Sequence, residues 1–165
     1  MLPLSTMESM LELKPMDAAT FQRFLDHAVP QYAAEKVRSG EWSPEEAQAR
    51  GEGEFHMLLP QGPDTPGNFL YDLHDAQTGQ DVGVLWYALR GEGERTSAFV
   101  YEVEVFEPHR RRGHATQAFA ALERDAANNG ARSIQLHVFG HNHPARALYE
   151  GLGFQPTNLM LRRDL

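Results

Sequence analysis

The sequence predicts an α/β fold, a mixed central sheet with helices on both faces. Three observations predict it. Apolar residues recur at helical spacing early in the chain, at Phe21, Phe24, Leu25, Ala28 and Val29. Three apolar runs of strand length follow, at residues 68–74, 82–89 and 98–106. Helical and extended patterns then alternate toward the C-terminus, which lays helices over a mixed sheet.

The elements follow in order. Met10 to Pro15 is a short apolar alternation ended by proline and reads as a strand. Asp17 is an N-cap type residue for the first helical run. Pro30 is expected to interrupt that run, with a second helix through Tyr32, Ala33, Lys36 and Val37 to Gly40. Ser43-Pro44-Glu45-Glu46 starts a third helix: a cap, a proline in the first turn, then acids facing the helix dipole. That helix is expected to end near Leu59. Residues 60–67, PQGPDTPG, are a loop by composition.

Asn68 to His74 and Val82 to Leu89 read as an antiparallel pair, and Ala98 to Phe106 as the best strand in the chain. A helix of about 15 residues is expected from Gly113, with Ala118, Phe119, Leu122 and Ala126 on one face. Gly130 suits its C-terminal cap. Ile134 to Phe139 reads as a strand, Pro144 to Gly151 as a short helix, and Phe154 with Asn158 to Leu161 as closing strands. The expected order is β-α-α-α-β-β-β-α-β-α-β-β.

With 165 residues and no linker or repeat, residues 1–165 read as one domain. The chain has no cysteine, so neither disulfides nor a thiolate nucleophile is available. That fits a cytoplasmic protein, as does an N-terminus without the pattern of a signal peptide. No run reaches the roughly 18 apolar residues of a membrane span. The net charge of −8 argues against a nucleic-acid partner and for a cationic one.

Chemistry concentrates at Val103 to Thr116, where a strand ends, a basic loop with glycine follows and a helix begins. The first N–H groups of a helix lack internal partners and carry partial positive charge. Together they form a cradle for a pyrophosphate. Gly113 and Ala115 keep the backbone approachable, and Arg110, Arg111 and Arg112 add charge. A second cluster follows at Leu136 to Phe154, containing Asn142-His143-Pro144-Ala145 and Leu148-Tyr149-Glu150-Gly151-Leu152-Gly153-Phe154.

Together these segments resemble the GNAT superfamily of acyl-CoA-dependent N-acyltransferases. Its phosphate motif, Arg/Gln-x-x-Gly-x-Gly/Ala, is met by Arg110, Gly113 and Ala115. Its second motif is met by Asn142, Ala145, Leu148, Tyr149, Gly153 and Phe154. The resemblance is strong over 98–154 and rests on element order alone before that. It implies acetyl-CoA as co-substrate, held by the half at 98–165. Residues 10–97 would form the acceptor side. It further implies that backbone N–H groups of Arg111, Arg112, Gly113, His114, Ala115 and Thr116 hold the pyrophosphate. Val105 would pair with the pantetheine arm through its backbone, Asn142 would bond the pantetheine amides, and Tyr149 would aim its hydroxyl at the sulfur. The identity of His114 implies nothing about the cofactor. The implied activity is acetyl transfer to a primary amine by direct attack on the thioester.

Such a reaction needs a base to take a proton from the amine and an acid at the departing sulfur. Tyr149 is the acid candidate. For the base, strand alternation sets Glu102 and Glu104 on one face and Tyr101, Val103 and Val105 on the other. His137 stands where some GNAT members carry a glutamate, and histidine suits proton transfer near neutrality. His137, Glu102, Glu104 and water alone all stay open as the base. A structural ion pair, for instance with Arg95 or Arg146, is the competing role for either acid.

The resemblance places the acceptor at about 31–67, where Tyr32, Glu35, Trp42, Glu45, Glu46, Glu54, His56 and Asp64 are candidates. The acceptor is a small-molecule amine or an amine of a peptide or protein, and a homodimer stays open. His137, His141 and His143, with His109, lack a metal-site spacing, so no metal is expected. Two other classes compete: a catalytically idle acyl-CoA-binding or sensor module, and a nucleic-acid-binding domain using Arg110 to Arg112.

Overall fold

The computed structural model describes residues 11–165. Strand β1 (Leu11–Pro15) leads into helix α1 (Ala18–Arg38), and helix α2 (Pro44–Leu58) follows. Strands β2 (Asn68–Asp75), β3 (Gln80–Arg90) and β4 (Ser97–Val105) come next, then α3 (His114–Asn128), β5 (Ser133–Leu136) and α4 (His143–Gly151). The sheet runs β1-β2-β3-β4-β5. All neighbours are antiparallel except β4 and β5, which are parallel across the α3 crossover.

The local signals work as chemistry requires. Asp17 accepts a hydrogen bond from the Thr20 N–H at 2.8 Å and caps α1. Pro44 opens α2 within its first turn. Gly130, at φ 96°, lets the chain leave α3 in the left-handed region.

Two layers cover the sheet. On one face Leu73, Leu85 and Tyr87 pack under Phe119 and Leu122 of α3. The hydroxyls of Tyr71 and Tyr87 both donate to Asp125 of α3, tying that helix to the sheet. On the other face Val84 and Trp86 pack under Phe24, Ala28 and Val29 of α1 and Phe55 of α2. β3 therefore feeds both cores by alternation.

Three expectations change. Pro30 does not divide α1, which continues as one helix to Arg38. Phe24, Ala28, Val29 and Ala33 bury one continuous face on both sides of it. Pro30 itself sits on the exposed side, so packing outweighs the local cost of about 3 kcal/mol. The strand expected to reach Phe139 stops at Leu136. The closing strands expected at Phe154 and 158–161 do not form; residues 154–165 have no regular secondary structure. The segment joins no ladder among the described residues, and a strand is defined by such pairing.

Candidate active site

A cleft opens where two strands part. β4 pairs with β5 only from Ser97 to Val100, opposite Ser133 to Leu136. Beyond Val100, β4 stays paired to β3 and runs on to Val105. The chain after Leu136 leaves the ladder. Residues 101–104 and 137–139 thus line a cleft of about 260 Å3. Gln31, Tyr32 and Glu35 of α1 close one side, and Asn142, Ala145 and Tyr149 the other.

A β-bulge sits at this parting. Trp86 faces Glu102 but Tyr87 faces Val100, so Tyr101 is an extra residue in β4. The bulge corrects simple alternation. Tyr101 stacks on Trp86 at 4.3 Å and so lies on the α1 face. Glu102 and Glu104 share that face, opposite Trp86 and Val84, while Val103 packs on the α3 side. Gly83 permits the close approach of β3, because a Cβ there would collide with the Glu104 carbonyl.

The two glutamates differ. Glu104 receives both carboxylate oxygens' contacts from His27 Nε2 of α1, at 3.1 Å, and lies 3.8 Å from Arg110 Nη2. Glu102 has no hydrogen-bond or ion-pair partner among the described residues. Burial raises its carboxyl, the neighbouring charge of Glu104 raises it further, and the pKa reaches about 7 against an opposing pull from His27. Neither Arg95 nor Arg146 serves as the ion-pair partner of these acids; Arg146 donates instead to the Gly140 carbonyl.

Tyr149 projects from α4 with its ring against Phe119 and Phe154, at 5.7 and 5.9 Å. Its hydroxyl has no partner among the described residues. Burial, then the charge of Glu102, holds its pKa above the usual value, so it keeps its proton. Asn142 accepts from the Ala145 N–H at 3.2 Å through Oδ1, which caps α4. Its amide nitrogen stays free to face the cleft. His137 is exposed, packs edge-on to Phe139 and makes no hydrogen bond among the described residues.

The basic loop reaches α3 through two left-handed residues, Arg111 at φ 62° and Gly113 at φ 79°. The N–H groups of residues 111–116 donate to no carbonyl among the described residues. A Cβ on Gly113 would meet no protein atom within 4 Å. Arg111 and Arg112 are exposed and unpaired among the described residues. Free donors, open space above the glycine and two free cations fit a polyphosphate. Arg110 is different: its Nε donates to the Val105 carbonyl at 2.9 Å, and it flanks Glu104. It braces the strand end. Val105 pairs with Gly83, and Thr116 is exposed at the helix start, while Ala115 is half-buried. The His114 side chain turns inward and is buried, with Nδ1 unpartnered among the described residues.

Of the acceptor-side candidates, the fold brings Tyr32 and Glu35 into the cleft. Tyr32 donates to Glu54 at 2.6 Å. Trp42 is buried beneath Arg50 and Lys36. Glu45 and Glu46 open α2, where Glu46 pairs with Arg50. His56 lines a separate groove between α1 and α2, and Asp64 lies in a one-turn helix beyond it. His141 bridges to Glu35 at 2.5 Å, which joins α1 to the loop before α4. No group of three or more metal-ligating side chains occurs among the described residues. None of the described helices is long and apolar enough to cross a membrane.

Sequence reasoning missed His27 and gave Gln31 only as the start of the expected acceptor segment. His27 lies 77 positions from Glu104, and nothing local marks it. Gln31 is the residue after Pro30, placed in the cleft because α1 continues unbroken.

Comparison with known proteins follows the same lines. The family model for acetyltransferase (GNAT) matches residues 23–154. YycN of Bacillus subtilis (strain 168), named an uncharacterized N-acetyltransferase, is 40% identical over 153 residues, covering 93% of this chain and 97% of its own. YdgE of the same organism, named likewise, is 30% identical over 153 residues with the same coverage. The crystal structure of YycN superposes with a TM-score of 0.89, covering 94% of this chain and 98% of that one.

Proposed function

The chain belongs to the acetyltransferase (GNAT) family, and we propose that it moves an acetyl group from acetyl-CoA to a primary amine. We read residues 1–165 as one domain, with the acceptor side in 10–97 and the acetyl-CoA side in 98–165. The observation that carries this reading is the pairing of roles in one cleft. Glu102, unpartnered with a pKa near 7, and Tyr149, which keeps its proton, both line the space where β4 and β5 part.

Bound acetyl-CoA would supply the acetyl group as a thioester open to direct attack. The N–H groups of residues 111–116 would hold the pyrophosphate, helped by Arg111 and Arg112. Arg110 braces the loop against Val105. Asn142 would offer its free amide nitrogen to the pantetheine arm, and Ala145 leaves room for it. An amine is mostly protonated at neutral pH. Glu102 takes that proton, directly or through one water, once its own carboxyl is ionised. Tyr149 gives its hydroxyl proton to the departing sulfur. Glu104, bound to His27 and near Arg110, holds the negative charge that keeps Glu102 basic. His137 lines the same cleft but is exposed and makes no hydrogen bond among the described residues, so we read Glu102 rather than His137 as the base.

The acceptor is a cationic amine entering between α1 and residues 137–139, where Tyr32, Glu35, Glu102 and Glu104 line the space. The test is thiol release from acetyl-CoA across a panel of amines. Release with at least one amine is expected, with a rate that rises through about pH 7. Glu102→Gln should lower turnover by about 100- to 10,000-fold and erase that inflection. Wild-type protein that binds acetyl-CoA yet releases no thiol with any amine would favour the idle acyl-CoA-binding module.

A further inference from the structure

Helices α1 and α2 leave a groove between them that the proposed chemistry does not use. It holds about 640 Å3, more than twice the 260 Å3 of the cleft. That falls within the roughly 300–1,000 Å3 of small-molecule sites. Groove and cleft share no lining residue. At about 100° per residue, Gln22, Asp26 and Val29 lie on a face of α1 nearly opposite to His27, Gln31 and Glu35. The two spaces therefore stand back to back across one helix.

The floor of the groove is apolar. Val29, Phe55 and Leu59 are buried there, and Phe21 and Leu25 are half-buried. The helices beneath it are fixed against each other. Gly51 lets α2 rest on α1, since a Cβ there would already lie 3.4 Å from Val29 Cγ1 and 3.6 Å from the Ala33 Cβ. The groove is thus a built feature of a packed helix pair.

The rim is acidic. Asp26 lines it from α1 and Glu52 from α2. Each is held by a glutamine of its own helix, one turn earlier. Gln22 Nε2 donates to Asp26 Oδ1 at 2.9 Å, and Gln48 Nε2 donates to Glu52 Oε1 at 2.9 Å. These bonds orient the carboxylates without neutralising them. Neither acid has a cationic partner among the described residues, and no lysine or arginine lines the groove. Pro30 adds a further acceptor. It lines the same wall and has no N–H, so the Asp26 carbonyl lacks the donor an α-helix would otherwise give it.

We propose that this groove is a second ligand site, for a small organic cation with an apolar body. The charge sits between Asp26 and Glu52, and the apolar part lies on Phe21, Leu25 and Leu59. A neutral apolar ligand would leave both carboxylates facing it unpaired, and an anion would be repelled by them. A small hydrated cation would gain nothing from the floor. An ammonium carrying an alkyl or aryl group meets both surfaces at once, and a chain with a net charge of −8 draws it in.

Octyltrimethylammonium chloride is the probe, titrated below its micelle concentration into methyl-labelled protein and followed by NMR. Its nitrogen is fully substituted and cannot take an acetyl group, so failure of the acetyl-transfer reading leaves this result standing. Saturable shifts are expected at the methyls of Leu25, Val29 and Leu59, and none at Val103 and Leu136 of the cleft. Asp26→Asn combined with Glu52→Gln should weaken binding by about tenfold, and n-octanol should bind wild type at least about tenfold more weakly than the cation. Both carboxylates are exposed, so the substitutions leave the core untouched. Shifts that do not saturate, or that fall equally on the cleft methyls, overturn the proposal. So does equal affinity for octanol, or binding that survives the double substitution unchanged. If the double variant fails to fold, the octanol comparison on wild type still decides.

Discussion

The two walls of the cleft are built differently. The β4 wall grows out of the most buried part of the protein: β3 beside it carries Leu85, Trp86 and Tyr87, all almost without exposure. The facing wall, residues 137–154, contains no buried residue at all, and α4 is half-exposed along its length. Yet each wall carries one half of the proposed chemistry, the base Glu102 on the first and the acid Tyr149 on the second. A carboxylate with a raised pKa needs a fixed, partly dry setting, which only a strand held between two packed layers provides. The wall that meets the pantetheine arm can be looser, because bound ligand would complete its packing.

The sharpest way to break this comparison is stability. Leu85→Ala should destabilise the fold by about 2–5 kcal/mol, through lost burial and the cavity left behind. Leu148→Ala on α4 should cost about 1 kcal/mol. Urea titrations of both would measure it, and equal costs would mean that the two walls are equally load-sharing.

A second test uses pH. The Glu102 carboxyl has a folded pKa of about 7, above its ordinary 4.5. The folded state therefore holds the proton more tightly than the unfolded one. Its contribution to stability is full below about pH 4.5 and is lost as pH rises through 7. The loss is at most on the order of 3 kcal/mol, from 1.36 kcal/mol for each unit of difference. Glu102→Gln should abolish it, so the variant should gain melting temperature relative to wild type at pH 8 but not at pH 5. The same gain at both pH values would show that Glu102 does not titrate in the folded protein.

Ligand binding should sharpen the contrast at the loop. Acetyl-CoA at a hundredfold excess over its dissociation constant should stabilise the wild type by about 2.7 kcal/mol, seen as a raised melting point. Gly113→Val should lose that shift, since its φ of 79° disfavours a β-branched side chain and the Cβ would enter the open space above the loop. A full shift in this variant would place the phosphate elsewhere.

A last test lies on the loose wall. Tyr149→Phe keeps the ring that packs on Phe119 and removes only the unpartnered hydroxyl. Turnover should fall by about 10- to 1,000-fold with little change in acetyl-CoA affinity. Unchanged turnover, with chemistry shown to limit the rate, would leave Tyr149 as packing.

Much of this was legible without coordinates, and the reason is locality. Helix caps at Asp17 and Ser43, the turn glycines and the loop before α3 act through neighbours a few residues away, so a linear pattern carries them. The family motifs at Arg110–Ala115 and Asn142–Phe154 are local in the same sense. Tertiary structure alone decided the rest. Pro30 stays inside α1 because packing on both sides of it outweighs its local cost. The bulge at Tyr101 arises in the pairing of β3 with β4, so alternation within β4 could not show it. Of two acids two positions apart, Glu104 is tied to His27, 77 positions away, and Glu102 has no partner among the described residues. That choice depends on which helix lies over which strand, and no pattern along the chain encodes it. The tail from Leu159 to Leu161 has the composition of a strand but joins no ladder among the described residues, because pairing depends on where the folded chain carries it.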